Sequence, residues 1–222
     1  MIIHYPTGIL CGRNTKMSEE HSERIGILGG SFDPIHTGHL TIAQDAVEQL
    51  HLDRLIFIPA AISPHKQNTA PAEGRHRLEM IRRAIANQPR FEVSDREIQR
   101  GGVSYTFDTL TQIQAELPQA RLFFIIGIDT LIDLHLWWKQ DELLQNFTVV
   151  PFARGGEDLA NIAKRIQLGD PWKNRLLERM IQVHQVEISS SEIRKRLAAG
   201  QNLRYLVPLE VEQYIAENRL YV

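Results

Sequence analysis

Residues 25–39 read IGILGGSFDPIHTGH. Ile25 to Leu28 form an apolar run of strand length, and Gly29 and Gly30 close it with residues that let a backbone approach a ligand or take positive φ. Leu40, Ala43, Val47 and Leu50 then recur at spacings of three and four, so a helix is expected to begin near Thr37. Leu55 to Ile58 is the next apolar run. A strand, a helix and a strand in this order specify a parallel pair joined by a crossover, the building unit of an α/β sheet.

The alternation continues. Leu78, Ile81 and Ile85 mark a helical face, Phe91 to Val93 a weak strand, and Phe107, Leu110, Ile113 and Leu117 a helix ended by Pro118. Leu122 to Ile126 is the strongest strand signal and Phe147 to Phe152 another. From Glu157 to His184 the chain reads as mainly helical, broken at Gly169-Asp170-Pro171, with at most a short strand at Val186 to Ile188. Helices are expected over Ser191–Ala199, stopped by Gly200, and over Pro208–Glu217. The fold class is therefore α/β, a doubly wound, Rossmann-like parallel sheet with a mainly helical C-terminal subregion.

Composition narrows the function. With 43% hydrophobic residues among 222, the chain can bury a core, and a net charge of −2 lacks the basic excess of a nucleic-acid binder. Cys11 is the single cysteine, which excludes an internal disulfide and suits a reducing compartment. No apolar run approaches the roughly 18 residues of a membrane span. A cytoplasmic protein with no nucleic-acid or membrane partner is expected. Residues 1–22 read as an N-terminal extension of residues 23–222, with 1–16 either disordered or an artefact of start-codon choice and Ser18 to Glu23 a polar lead-in to the first strand.

In open parallel sheets ligands bind beyond the carboxyl ends of the strands. There the sequence places Gly29–His39, Ser63-Pro64-His65-Lys66, Gly127-Ile128-Asp129, Arg154-Gly155-Gly156 and Ser189–Arg194. His36 and His39, three residues apart at a helix start, put two imidazoles beside unpaired N–H groups, which suits a phosphate. Metal ligation and a purely structural capping pair are the other readings, although no third ligand stands at a familiar zinc spacing. Ser189 and Glu192 have the spacing of a capping box, so a helix starts there too, with Arg194 in its first turns. Arg194 and Lys66 can also be read as solvated surface charges, and Asp129 as a helix N-cap. The glycine pattern fits neither a Walker loop nor the dinucleotide fingerprint.

The stretch Gly29–His39 resembles the H-x-G-H signature of the nucleotidyltransferase superfamily, and Ile188-Ser189-Ser190-Ser191-Glu192-Ile193-Arg194 resembles its I-S-S-T-x-I-R motif. The Ser63–Lys66 loop, Gly127-x-Asp129, Trp137 and Tyr205-Leu206-Val207-Pro208 narrow the likeness to bacterial nicotinate-nucleotide adenylyltransferases. It runs from about Ile25 onward and implies one nucleotidyltransferase domain over residues 23–222, with its helical part at about 157–222. It also implies a reaction between ATP and nicotinate mononucleotide giving deamido-NAD and pyrophosphate, with Mg²⁺ delivered by the ATP.

By the same resemblance His36, His39, Lys66 and Arg194 are the catalytic set. Substrate contacts fall to Gly29, Gly30, Ser31, Phe32, Tyr105, Thr106, Gly127, Asp129, Trp137, Arg154, Ile188, Ser189 and Ser190. Trp137 offers a face for a pyridine ring, and the backbone amides at Tyr105 and Thr106 a place for its carboxylate. Ser191 stands where relatives carry Thr, Ile128 where they often carry a polar residue, and Gly155 where Pro commonly follows Arg154. Adenylyltransferases for nicotinamide mononucleotide or phosphopantetheine, a cytidylyltransferase and a non-catalytic nucleotide sensor are the alternatives.

Overall fold

The computed structural model describes residues 22–64, 71–154 and 158–221. Lys66 and the extension before Ser22, Cys11 included, lie outside the described residues. In chain order the elements are β1 (Arg24–Gly30), α1 (Thr37–Gln49), β2 (Arg54–Pro59), α2 (Gly74–Ile85), β3 (Phe91–Val93), α3 (Arg96–Arg100) and α4 (Thr106–Glu116). They continue with β4 (Arg121–Gly127), α5 (Ile128–Asp133), a 3₁₀ turn (Leu134–Leu136), α6 (Gln140–Asn146) and β5 (Thr148–Arg154). The last are α7 (Leu159–Arg165), α8 (Trp172–Glu178), β6 (Ile181–Val183), α9 (Ser190–Ala198) and α10 (Leu209–Glu217).

The strands form one sheet in the order β3-β2-β1-β4-β5-β6, and every neighbouring pair is parallel. The chain winds outward from β1 through β2 and β3, then returns to β4 on the other side of β1. The β1/β4 boundary is thus the switch point, where the connections diverge and leave a crevice at the carboxyl ends.

Both faces of the sheet are covered, which is why its strands read as nearly continuous apolar runs. Along β4, Leu122, Phe124 and Ile126 enter one core cluster and Phe123 and Ile125 the other, as a two-residue repeat requires. The Phe123 side packs with Val47 of α1, Ile81 of α2, Ile193 of α9 and Val211 of α10. The Phe124 side packs with Leu110 of α4, Leu131 of α5, Leu143 of α6, Ile162 of α7 and Leu176 of α8. Among the described residues no helix is long and apolar enough to cross a membrane.

Two expectations need correction. The last strand is Ile181–Val183, inside the stretch read as helical, while Val186–Ile188 forms no strand. Ile181 and Val183 are buried, with Gln182 exposed between them, and they pair with Phe152–Arg154. Val186 and Ile188 repeat that alternation half-buried, but they lie past the end of β5's pairing register. The short helices α3 and α6 carry too few periodic positions to announce themselves in the sequence.

Candidate active site

Gly29 and Gly30 are the last residues of β1, and neither takes positive φ. The left-handed residue falls instead on Phe32, with φ of 46°. Its ring is buried beneath the site, edge-on to His39 at 5.0 Å and to Phe57 at 5.7 Å. A Cβ on Gly30 would sit 3.2 Å from that ring, so the tight packing of Phe32, rather than a special φ, favours glycine there.

His36 is the N-cap of α1, in extended conformation, and is 5% exposed. Its backbone N–H donates to Nδ1 of His39 at 3.3 Å. A ring nitrogen that accepts carries no proton, so in neutral His39 the N–H is at Nε2. The two imidazoles stack with centroids 3.7 Å apart. Gly38 makes this possible: a Cβ there would lie 3.1 Å from Nδ1 of His36 and 3.2 Å from Cε1.

The loop bearing the histidines is fastened from four directions. Arg77 of α2, 2% exposed, donates through Nε to the Ala72 carbonyl at 2.8 Å and through Nη1 to the carbonyls of Ser31 at 2.9 Å and Ala60 at 2.7 Å. Burial lowers its guanidinium pKa, and the Asp33 charge works against that. Asp33, itself buried, accepts at Oδ1 from the Ala72 N–H at 3.0 Å and the Tyr221 hydroxyl at 2.7 Å. Arg194 of α9 donates to the Asp33 carbonyl at 2.7 Å, and the same Nη1 lies 3.6 Å from Oδ2 of that carboxylate. Thr37 donates both its N–H and its hydroxyl to the Leu206 carbonyl at 3.0 Å.

Asp33, Arg77 and Tyr221 were not among the residues singled out by sequence. Arg77 left one clue: it stands four residues before Ile81 and eight before Ile85, on the apolar face of α2.

Two cavities open at the switch point. The larger, about 800 Å³, is lined by Gly29, Gly30, Tyr105, Thr106, Gly127 and Trp137. The smaller, about 680 Å³, is lined by His36, Ile188, Ser189, Ser190 and Arg194. Ser31, His39 and Asp129 line both, so the second histidine stands where the two meet.

In the larger cavity Tyr105 is the N-cap of α4 and Thr106 its first residue, which turns the helix's first N–H groups toward the opening. The Trp137 ring is half-buried, 6.1 Å from Phe124, while Trp138 is 55% exposed and 5.8 Å from Tyr105. A Cβ on Gly127 would lie 3.2 Å from the Phe152 ring. Asp129 lies in the first turn of α5, whose N-cap is Gly127, so it is not the cap itself.

In the smaller cavity Ser189 caps α9 by accepting from the Glu192 N–H at 3.1 Å, and the Ser190 hydroxyl donates to the Pro34 carbonyl at 2.9 Å. Arg154 ends β5, and its side chain, like all of Lys66, lies outside the described residues. Among the described residues no group of three or more His, Cys, Asp or Glu side chains could hold a metal ion.

A family model described as cytidylyltransferase-like matches residues 27–196. A protein of Thermus thermophilus named "Probable nicotinate-nucleotide adenylyltransferase" is 45% identical over 199 residues, covering 89% of this chain and 99% of the relative. One of the same name from Citrifermentans bemidjiense is 41% identical over 216 residues, 90% of this chain and 98% of its own length. The chain belongs to the nicotinate-nucleotide adenylyltransferase family. It is thereby a nucleotidyltransferase, and the resemblance noted in its motifs extends over nearly the whole sequence.

A solved structure of Plasmodium falciparum nicotinic acid mononucleotide adenylyltransferase complexed with NaAD shares the fold, with a TM-score of 0.69 at 20% identity over 90% of this chain and 97% of the other. Nicotinate-nucleotide adenylyltransferases thus keep this parallel α/β architecture at low sequence identity.

Proposed function

We propose that the chain transfers the adenylyl group of ATP to nicotinate mononucleotide, giving deamido-NAD and pyrophosphate. The observation that carries this reading is the meeting of two cavities at His39, one walled by Trp137 and helix N–H groups, the other by Arg194 and the capped start of α9. The larger takes the pyridine nucleotide, its ring against Trp137 and its carboxylate toward the N–H groups at Tyr105 and Thr106. The smaller takes the phosphates of ATP.

A phosphate oxygen of the mononucleotide attacks the α-phosphorus of ATP in line. The bond from that phosphorus to the oxygen bridging the α- and β-phosphates breaks, and pyrophosphate leaves with its electron pair. No covalent intermediate on the protein is needed. Catalysis is then positioning and charge stabilisation. His39 offers its Nε2 proton to the oxygens that gain charge, His36 lies stacked beside it, and Arg194 meets the β- and γ-phosphates. Lys66 joins them as a further cation from its loop. Mg²⁺ enters as part of the Mg·ATP substrate.

The test is pyrophosphate release from Mg·ATP with nicotinate mononucleotide, nicotinamide mononucleotide or phosphopantetheine as acceptor. Release with the nicotinate compound alone supports the reading, including the acid preference. Release with a different acceptor overturns the substrate assignment, and no release from folded protein overturns the reaction.

A further inference from the structure

Tyr221 lies beyond α10, outside every motif of the site, yet its hydroxyl donates to Asp33 at 2.7 Å across 188 residues. We infer that Tyr221 is a positioning residue for the phosphate site: by holding the Asp33 carboxylate it fixes Arg194 and the turn that leads into His36. The inference rests on the reading above that the smaller cavity takes the phosphates of ATP.

Three observations carry it. Asp33 is the common partner: its carboxylate receives Tyr221 and the Ala72 N–H, and its carbonyl receives Arg194 at 2.7 Å. Among the described residues Arg194 makes one further side-chain contact, to the Ser191 hydroxyl at 3.3 Å, beside its two approaches to Asp33, so the position of Asp33 bears on its direction. The path back from α10 is also a costly one for the backbone. Arg219 and Tyr221 have φ of 48° and 67°, a region non-glycine residues seldom occupy and keep only where surrounding contacts impose it. Finally, the phenol is suited to donate. Burial, then the hydrogen bond to Asp33, raises its pKa above the ordinary tyrosine value, which favours the protonated, donating form.

Without that hydrogen bond the carboxylate keeps the Ala72 N–H as its donor and turns toward the nearest cation, Arg194, drawing the guanidinium away from the cavity. The effect falls on phosphate binding. The larger cavity meets this region only along the wall the two share, at residues such as Ser31 and His39, so mononucleotide binding is affected far less.

The experiment is Tyr221→Phe, which keeps the ring packed against the core and removes only the hydroxyl. Equilibrium binding of Mg·ATP is measured by calorimetry, alongside kcat and KM for both substrates and the thermal midpoint. The expected result is Mg·ATP affinity about tenfold weaker, about 1.4 kcal/mol, with KM for nicotinate mononucleotide within about twofold of wild type. Unchanged Mg·ATP affinity in the folded variant overturns the inference. So does a parallel loss for both substrates that tracks a fall in the midpoint, since that marks a general structural role. Weakened mononucleotide binding with intact Mg·ATP binding overturns the inference and the assignment of the cavities together. The calorimetry decides even if wild-type protein releases no pyrophosphate, an outcome that would count against the reaction alone.

Discussion

The two halves of the crevice are built differently. On the smaller-cavity side the polar groups that carry the histidine loop are themselves held. Arg77 donates to three carbonyls, Asp33 is held by a hydroxyl, an N–H and an arginine, and the N-terminus of α1 by Leu206. On the larger-cavity side the wall is aromatic and open, with Leu136 67% exposed and Trp138 55% exposed at the rim. The contrast follows from what each half is proposed to do. Displacement at phosphorus loses rate with every ångström of misplacement, so its groups need several supports. A flat ring is recognised by area and stacking, which tolerate looser walls.

Substitutions can break this comparison, and the largest effect belongs to the supported side. His39→Ala should lower turnover by about 10²–10³-fold, the cost of removing one preorganised donor to a developing charge. Circular dichroism should show an intact fold. Near-normal turnover in the folded variant removes His39 from the mechanism.

Next comes Arg77→Met, which deletes a buried charge and leaves three carbonyls without their donor. It should cost roughly 3 kcal/mol of stability in denaturant titration and depress kcat as well, since the Ser31 and Ala60 loops are no longer joined. A stable variant with normal kcat would mean that the loops hold themselves.

Trp137→Ala tests the open side. It should raise KM for nicotinate mononucleotide by roughly tenfold through lost stacking and area, and change kcat far less. Trp138→Ala should move KM by no more than about threefold, because its ring is already half in solvent. An equal effect of the two would erase the distinction drawn between them. The smallest change is Ser189→Ala, which removes the α9 cap and should cost about 1 kcal/mol, a drop of a few degrees in thermal midpoint.

Much of the fold was legible because buried parallel strands write themselves as apolar runs: Ile25–Leu28, Leu55–Ile58 and Leu122–Ile126 each lie within a strand. β6 was missed because three residues between helical segments give no period, and the neighbouring Val186 and Ile188 alternate without pairing. In the site, the stretches that carry side-chain chemistry near a helix start could be read: His36, His39, Ser189 and Arg194 are local patterns. The supports were not read, since they are hydrogen bonds to backbone carbonyls of Ser31, Ala60 and Ala72 or contacts across the length of the chain, and apart from the place of Arg77 on the apolar face of α2 they leave no local signature.

The clasp of Thr37 by Leu206 spans 169 residues. During synthesis the histidine turn therefore leaves the ribosome well before its last fasteners are translated. A nascent chain that has the described strands but stops before residue 206 lacks this clasp, so the cavity proposed to take phosphate stays unlatched. Catalytic competence in this architecture arrives as a late event, separate in time from the formation of the scaffold that displays it.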